Sequence, residues 1–175
     1  MCQALCNTLG NIFRLVITCA CGLALAFQIL TAMSCELVNV DGGSGGTRGI
    51  FFRGTAGTCQ DTAYETDDPL VLGARSALIV SMCAGFIAGL MVTFEWLCIE
   101  VCCAGVLEGL AFLLAWTSGG AVFMFYATDL CTADGVNCEF SDSSWFLSVA
   151  CALYFGCGFL LCCTPQPEPI CRSRD

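Results

Sequence analysis

The sequence predicts an all-α membrane protein, built as a four-transmembrane-helix bundle with a small β-hairpin-like, disulfide-braced outer loop. The prediction rests on long apolar stretches, on a composition that is 57% hydrophobic with a mean hydropathy of +0.80, and on cysteines between the stretches. A helix that crosses the hydrocarbon layer needs roughly 20 predominantly apolar residues. The stretches of about this length are residues 12–33, 70–94, 101–126 and 145–163.

Each apolar stretch lacks the polar stripe that a surface helix of a soluble protein carries. In the second stretch, for example, Arg75 is the only charged residue between Leu70 and Phe94. A chain of 175 residues has room for these spans and their connectors, so the sequence predicts a single four-span membrane domain over residues 1–175. Function should then reside in the bundle, in its outer loops or in its lipid contacts.

Loop lengths and cysteines together predict the topology. An even number of spans places both termini on one side of the membrane and the outer loops, 34–69 and 127–143, on the other side. Arginines are divided equally between the two sides, so the positive-inside rule gives no answer. The even number of loop cysteines, in contrast, is typical of disulfides in an oxidising compartment. We therefore expect cytoplasmic termini, extracellular or lumenal loops, and a location in the plasma membrane or a secretory-pathway membrane.

The loop cysteines are Cys35, Cys59, Cys131 and Cys138. Four cysteines allow three pairings, and the sequence alone does not select among them. We favour Cys35–Cys59 and Cys131–Cys138, because each bond closes a loop within one connector and requires no particular docking between the two loops.

A second group of cysteines lies at the opposite, inner rim of the predicted bundle. Cysteines beside the inner ends of spans are common sites of reversible palmitoylation, and lipidation is one interpretation of this group. The alternative is that cysteine acts as a small hydrophobe that packs well, which we favour for the cysteines within the spans: Cys19, Cys21, Cys83, Cys151 and Cys157. The lipidation candidates are Cys2, Cys6, Cys98, Cys102, Cys103, Cys162, Cys163 and Cys171.

The first outer loop contains a predicted hairpin. Residues 35–40 alternate apolar and polar side chains, as a half-buried strand does, and residues 50–53 are the expected partner strand. The Gly-rich run 41–46 predicts the turn between them, with a flexible linker as the alternative. Phe51 and Phe52 favour the hairpin, because adjacent aromatic side chains need cover from the bundle, the membrane or a partner.

Small residues recur every four positions along the predicted helices. They allow helix backbones to approach closely, which is how helices associate in a membrane. The sequence therefore predicts a tight bundle without a wide pore, and contacts between subunits are the alternative role of these residues. The helix-packing glycines are Gly85, Gly89, Gly105, Gly109 and Gly156.

Glu108 is a carboxylate well inside the third predicted span. A charged side chain at that depth is costly and by default marks a functional site. The interpretation we favour is a Glu108 that is protonated, or paired with Arg14 of the first span, and hydrogen-bonded inside the bundle. The alternative is an ion or proton relay, which would need further acids along a path.

Motifs that carry chemistry are scarce in this chain. It has neither His nor Lys, which removes the commonest general base and the Schiff-base nucleophile, and it has no Cys-x-x-Cys. We therefore expect no catalytic residues, no cofactor and no enzymatic activity. The outer loops carry ten of the fifteen acids and dominate the net charge of −9, which disfavours nucleic acid as a partner.

An acidic group in the first outer loop is a weak calcium candidate. Ca²⁺ prefers clustered oxygen ligands. No EF-hand spacing is present, so a solvated acidic surface without a metal is the interpretation we favour. The residues in question are Asp61, Glu65, Asp67 and Asp68.

The order of these features resembles the tetraspan architecture of claudin, PMP22 and MARVEL-type proteins over nearly the whole chain. The shared features are short inner ends, a larger first outer loop with the cysteines Cys35 and Cys59, a smaller second loop and juxtamembrane cysteines. The Gly-Leu-Trp signature of claudins is absent, since the first outer loop has no Trp. The resemblance implies a non-enzymatic membrane organiser that self-associates laterally or binds a larger membrane partner.

We therefore predict a membrane scaffold that self-associates or organises a membrane assembly through its acidic, disulfide-braced outer loops. Its expected partners are membrane lipids and either further copies of the chain, in a homo-oligomer, or a larger membrane complex. The first alternative is an accessory subunit of a channel, receptor or pigment complex. The second alternative is a small channel or transporter that uses Glu108.

Overall fold

The computed structural model of the protein describes residues 2–41, 46–52, 54–55, 58–59, 67–97, 104–128, 131 and 137–163. Within these ranges the chain forms four long helices and two small sheets. The helices are α1 (Cys2–Met33), α2 (Pro69–Leu97), α3 (Ala104–Ala121) and α4 (Asp142–Cys163). A 3-10 turn, Val122–Ala127, continues α3 towards the second outer loop.

In the part of the chain that the structure describes, four helical segments are long and apolar enough to cross a membrane. They are 22 to 27 residues long, with mean hydropathies between 1.6 and 2.2. The predicted four-span, all-α fold is therefore confirmed. The helices α1, α2 and α4 extend beyond their predicted spans, because apolar composition marks the hydrocarbon region and helical hydrogen bonding continues past it, whereas α3 lies within its predicted span. The four segments are Gly10–Met33, Pro69–Glu95, Gly105–Ala127 and Asp142–Cys163.

The start of α2 shows how local sequence places a helix end. Asp68 accepts the backbone N–H of Leu70 through Oδ1 at 2.8 Å, which satisfies a donor that has no partner within the helix. Pro69 is the first helical residue, where its missing N–H costs nothing and its fixed φ suits the helix. The helix therefore begins at the boundary between the acidic loop and the apolar span.

The outer sheet joins both outer loops. Its central strand, β1 (Val38–Asp41), pairs antiparallel with β2 (Gly46–Arg48) on one side and with β5 (Asn137–Phe140) on the other. A separate two-stranded ladder joins β3 (Gly54–Thr55) to β4 (Thr58–Cys59). The sheet thus covers the outer end of the bundle with residues from two connectors.

The predicted partner strand of the hairpin is wrong. The strand that pairs with β1 is β2, which lies nearer in sequence than residues 50–53. Ile50 is instead fully buried, and the Gly49 N–H donates to the Phe52 carbonyl at 2.9 Å in a turn. Ile50 therefore serves as a core residue beneath the sheet. Apolar character alone does not distinguish a buried loop residue of this kind from a residue of a β-strand.

The two outer loops are each closed by a disulfide. The bonds join Cys35 to Cys59 and Cys131 to Cys138, with sequence separations of 24 and 7 residues. The predicted pairing is therefore confirmed. The second bond joins Cys131, which precedes β5 in the chain, to Cys138 within β5. It therefore braces the strand that attaches the second loop to the sheet.

The described core has an inner and an outer part. The inner part packs Ile17, Ala88, Phe112 and Tyr154 between the four helices. The outer part lies where the sheet meets the bundle, and its members include Leu37, Val38, Ile50, Leu78, Val122, Phe125 and Leu147. Because Leu37, Val38 and Ile50 point into this core, the outer loops are packed onto the bundle rather than only tethered to it.

Glycines permit close helix contacts, although at fewer of the predicted positions than expected. A Cβ at Gly85 would collide with the Tyr154 side chain, and one at Gly89 would lie 3.1 Å from Cys21 Sγ. A Cβ at Gly109 or Gly156 would meet nothing within 4 Å, so the predicted packing role of these two residues inside the bundle is wrong. Their periodicity is correct for a helix face, but no neighbouring helix comes within contact distance of these two positions.

Candidate functional site

A charged cluster lies inside the inner half of the bundle. Arg14 of α1 places Nη1 at 2.5 Å from Glu95 Oε2 of α2 and at 3.1 Å from Glu108 Oε2 of α3. The Glu108 side chain is fully buried and that of Arg14 nearly so. Three helices are therefore joined by one guanidinium held between two carboxylates.

Helical periodicity directs both ends of this cluster inwards. Arg14 shares a face of α1 with the buried residues Ile17 and Cys21, three and seven positions later. Glu108 shares a face of α3 with the buried Phe112, four positions later. Because unpaired buried charge is very costly, the pairing is required for this arrangement to be stable.

The contact between Arg14 and Glu108 that the sequence indicates is present, at 3.1 Å and 3.3 Å to the two carboxylate oxygens. Sequence reasoning missed Glu95, because the predicted second span, 70–94, ends one residue before it. The signal was available, since Glu95 lies three positions after Val92 and seven after Ala88, both buried on the same face of α2.

A second polar layer crosses the middle of the bundle and contains no charge. Gln28 Nε2 donates to Ser81 Oγ at 2.5 Å, and Ser81 Oγ donates to the Ala115 carbonyl at 2.6 Å. Tyr154 Oη donates to Gln28 Oε1 at 3.1 Å. All four helices contribute one member to this network. A satisfied buried network of this kind specifies one relative arrangement of helices, because any slip leaves polar groups unpaired.

A third polar layer connects the bundle to the outer sheet. Ser144 Oγ donates to the Leu37 carbonyl at 2.5 Å, and Tyr126 Oη lies 2.8 Å from Ser144 Oγ. Thr31 Oγ1 donates to the Ser143 carbonyl at 3.2 Å. The Ser144 and Tyr126 hydroxyls, which both reach the Leu37 carbonyl, fix the cap, defined here as the outer sheet with its two disulfides, to α4 and to the turn after α3, and the Thr31 bond joins α1 to α4.

Apolar side chains separate the charged cluster from the middle layer. Ile17, Ala88 and Phe112 are each at most 1% exposed in this region. Along α1 the step from Arg14 to Gln28 is 14 residues, which is roughly 21 Å at 1.5 Å per residue. The described residues therefore form separate polar layers in a packed bundle.

The described free cysteines divide into buried and exposed thiols. Cys21, Cys151 and Cys157 are buried, which agrees with the packing interpretation, whereas Cys19 and Cys83 are exposed on the outside of the bundle. Of the lipidation candidates, Cys162 and Cys163 are exposed at the inner end of α4. The others lie outside the described side chains: Cys2, Cys6, Cys98, Cys102, Cys103 and Cys171.

The calcium candidates are only partly described. Asp61 and Glu65 lie outside the described residues, Asp67 is exposed, and Asp68 caps α2. Across the described ranges, no group of three or more Cys, Asp or Glu side chains is arranged to hold a metal ion.

The cap carries a row of aromatic rings at one side. The Phe140 ring of β5 stacks on Tyr126 with centroids 4.7 Å apart and lies 6.5 Å from the Trp145 ring of α4. Phe140 belongs to the cap and is 56% exposed, and Trp145 belongs to the first turn of α4 and is 64% exposed. Because β5 is an edge strand of the sheet, we call Phe140, Trp145 and the outer side of β5 the aromatic edge.

Four apolar helices, buried polar layers between them and a disulfide-braced cap define a multi-pass integral membrane protein. Comparison of the chain with models of known protein families and with curated proteins finds no match. The geometry of the cap, the polar layers and the helix surfaces is therefore the basis for assigning a function.

Proposed function

We propose that the protein is a non-enzymatic tetraspan membrane scaffold, which self-associates through the outer cap and so organises a membrane assembly. Two features support this role. The described bundle interior is packed, and the side chains of its charged cluster and of its middle polar layer bond between helices, which suits a structural element. The cap is held by disulfides, by strand pairing and by hydrogen bonds to α4 and to the turn after α3, which suits a rigid contact surface.

The exposed aromatic edge is the observation that carries the proposal. Large aromatic side chains are the usual anchors of protein interfaces, and Phe140 and Trp145 are both more than half exposed. An unpaired edge strand beside them offers backbone donors and acceptors to another chain. The Cys131–Cys138 bond and the stack on Tyr126 hold these groups in place before a partner arrives, so little ordering entropy is lost on binding.

Charge restricts what this edge can bind. Exposed Glu139 and Asp142 flank the aromatic residues, and the whole chain carries a net charge of −9. Two such edges repel each other unless basic side chains or divalent cations compensate the carboxylates. Self-association should therefore weaken in a chelator or in high salt, because the compensating interactions are removed or screened.

The test is the particle mass in native-lipid nanodiscs and in mild detergent, measured by native mass spectrometry. We expect multiples of the 18.5 kDa chain for the unmodified protein. Replacement of both Phe140 and Trp145 by Ala should shift the particles towards monomers. The matched control is Phe94→Ala, which removes a similarly exposed ring at the inner end of α2.

Each outcome distinguishes between the functional alternatives. Monomers at every calcium and salt concentration would refute self-association. A fixed larger partner that is lost with the Phe140 and Trp145 replacements would favour an accessory subunit that uses the same edge. If the double replacement leaves the assembly unchanged, then the aromatic edge contacts lipid headgroups, as interfacial aromatic residues often do.

A further inference from the structure

A groove runs along the outside of the bundle between α3 and α4, separate from the cap. Its volume is about 520 Å³. Gly105 and Gly109 of α3 and Gly158 of α4 line it, together with Phe112 and Trp116. Cys162 is also part of its lining and lies one helical turn beyond Gly158, towards the inner end of α4.

The groove exists because α3 lacks side chains where it faces α4 on the outside. A Cβ at Gly109 would meet nothing within 4 Å, which leaves an open channel above the buried ring of Phe112. The exposed rings of Phe155 and Phe159 form one side of the channel. From Gly105 to Trp116 it extends over eleven residue steps, or roughly 16 Å along the helix.

The groove is continuous with the lipid-facing surface of the protein. Leu110 and Leu113, which also line it, are more than half exposed on a segment that is long and apolar enough to span a membrane. In a bilayer an empty channel at this surface forfeits dispersion contacts, so hydrocarbon should fill it. A helix with its side chains is about 10–12 Å across and therefore too wide to enter, whereas a single acyl chain is thin enough.

Cys162 gives the hydrocarbon a point of attachment. Its thiol is free and exposed at the end of α4 opposite the disulfide-braced cap. It shares one face of α4 with Phe155, Gly158 and Phe159, which are seven, four and three positions earlier and also line the groove. The adjacent Cys163 is equally a free, exposed thiol, but it points about 100° away around the helix and does not line the groove.

We propose that Cys162 is S-acylated and that the attached long acyl chain lies in the groove between α3 and α4. In the acyl transfer, the Cys162 thiolate attacks the carbonyl carbon of an acyl-coenzyme A thioester and a new carbon–sulfur bond forms. The bond to the coenzyme A sulfur breaks, and the coenzyme A thiolate takes up the proton that Cys162 released. The tethered chain then completes the apolar surface of α3 and α4.

The first test counts acyl groups in the protein purified from cells. Thioesters are cleaved with hydroxylamine, and each released thiol is labelled with a polyethylene glycol maleimide that shifts the gel mobility by one step. We expect Cys162→Ser to lose one step and the matched control Cys163→Ser to keep it. Retention of every step in Cys162→Ser, or loss of the step in Cys163→Ser alone, would overturn the assignment.

The second test locates the acyl chain in the unmodified sequence, so it does not depend on the folding of a variant. Cells are fed a palmitate analogue that carries a diazirine near its end and an alkyne for recovery. After irradiation, we expect cross-links from the chain to the α3 peptide that contains Gly105–Trp116. Cross-links that reach only lipids, or only α1 and α2, would show that the chain is not in the groove.

A third test asks whether the groove itself holds the chain. Gly109→Leu should fill the channel without a clash in the bundle, and it should abolish the cross-links to α3. Gly156→Leu is the matched control, because its added side chain also meets open space but lies outside the groove. Unchanged α3 cross-links in Gly109→Leu would contradict the proposal. A free lipid in the groove would instead be indicated if cross-links to α3 persist in Cys162→Ser.

Discussion

Replacing Gly85 by Ala should disrupt the contact between α2 and α4. The added Cβ would collide with the Tyr154 Oη and Cζ atoms and lie 2.8 Å from Cε1. Tyr154 cannot move aside freely, because it is fully buried, packs on Phe112 with ring centroids 6.4 Å apart, and donates its hydroxyl hydrogen bond to Gln28. The substitution therefore forces either a displaced ring or a shifted helix.

The expected loss of unfolding free energy is about 3 kcal/mol. Overpacking of a well-packed core costs about 1–3 kcal/mol. Losing the Tyr154 hydrogen bond leaves Gln28 partly unpaired in the bundle, at a cost of about 1–3 kcal/mol. The better helix propensity of Ala returns about 1 kcal/mol of this loss.

The measurement is equilibrium unfolding in mixed micelles of a mild detergent and dodecyl sulfate, followed by circular dichroism. Gly109→Ala and Gly156→Ala are matched controls, because a Cβ at either position meets nothing within 4 Å. Both should leave the unfolding free energy unchanged or raise it slightly. If Gly85→Ala is as stable as these controls, then α2 and α4 do not meet at Gly85 and the proposed packing is wrong.

Two further predictions concern the buried charges and the disulfides. Arg14→Leu should lower the unfolding free energy in the same micelle assay by about 3–5 kcal/mol, because it leaves the buried carboxylate of Glu108 and the partly buried carboxylate of Glu95 without their cation. A change below about 1 kcal/mol would show that these carboxylates are solvated. Cys59→Ser opens a loop of 24 residues and Cys138→Ser one of 7, so chain entropy predicts losses of about 3 and about 2 kcal/mol respectively. Thermal unfolding with and without reductant checks both values, and equal stability of the variants and the oxidised protein would contradict them.

Local sequence patterns were sufficient for most of the secondary structure of the bundle. The apolar stretches predicted all four spans, because length and hydrophobicity are what a membrane selects in a helix. The positions of the cysteines within the two connectors also led to the correct disulfide pairing, since bonds within one connector depend little on how distant segments meet. The Arg14–Glu108 contact followed from position along the helices, because a buried carboxylate needs a cation and Arg14 lies only one or two helical turns nearer the inner end of the bundle.

The sequence pattern of a single segment was not sufficient to predict strand pairing or helix contacts, because each of these depends on how two segments meet. The strand β5 is only four residues long, and its pairing with β1 depends on the docking of the second loop on the first. Gly109 and Gly85 have the same local pattern of small residues, yet only at Gly85 would an added Cβ touch another helix. The rotation of each helix about its own axis determines this difference, and periodicity alone leaves that angle open.

The sequence by itself indicated four segments long and apolar enough to cross a membrane, where along the chain the loops between them fall and which cysteines those loops contain, because these properties depend on composition and on short-range geometry. Only the tertiary structure decided which uncharged polar side chains meet. Gln28, Ser81 and Tyr154 are far apart in sequence and become one network only when α1, α2 and α4 pack at a particular depth and rotation. The same packing leaves Gly109 and Cys162 on an open groove, since the face of a helix that remains uncovered is set by its neighbours.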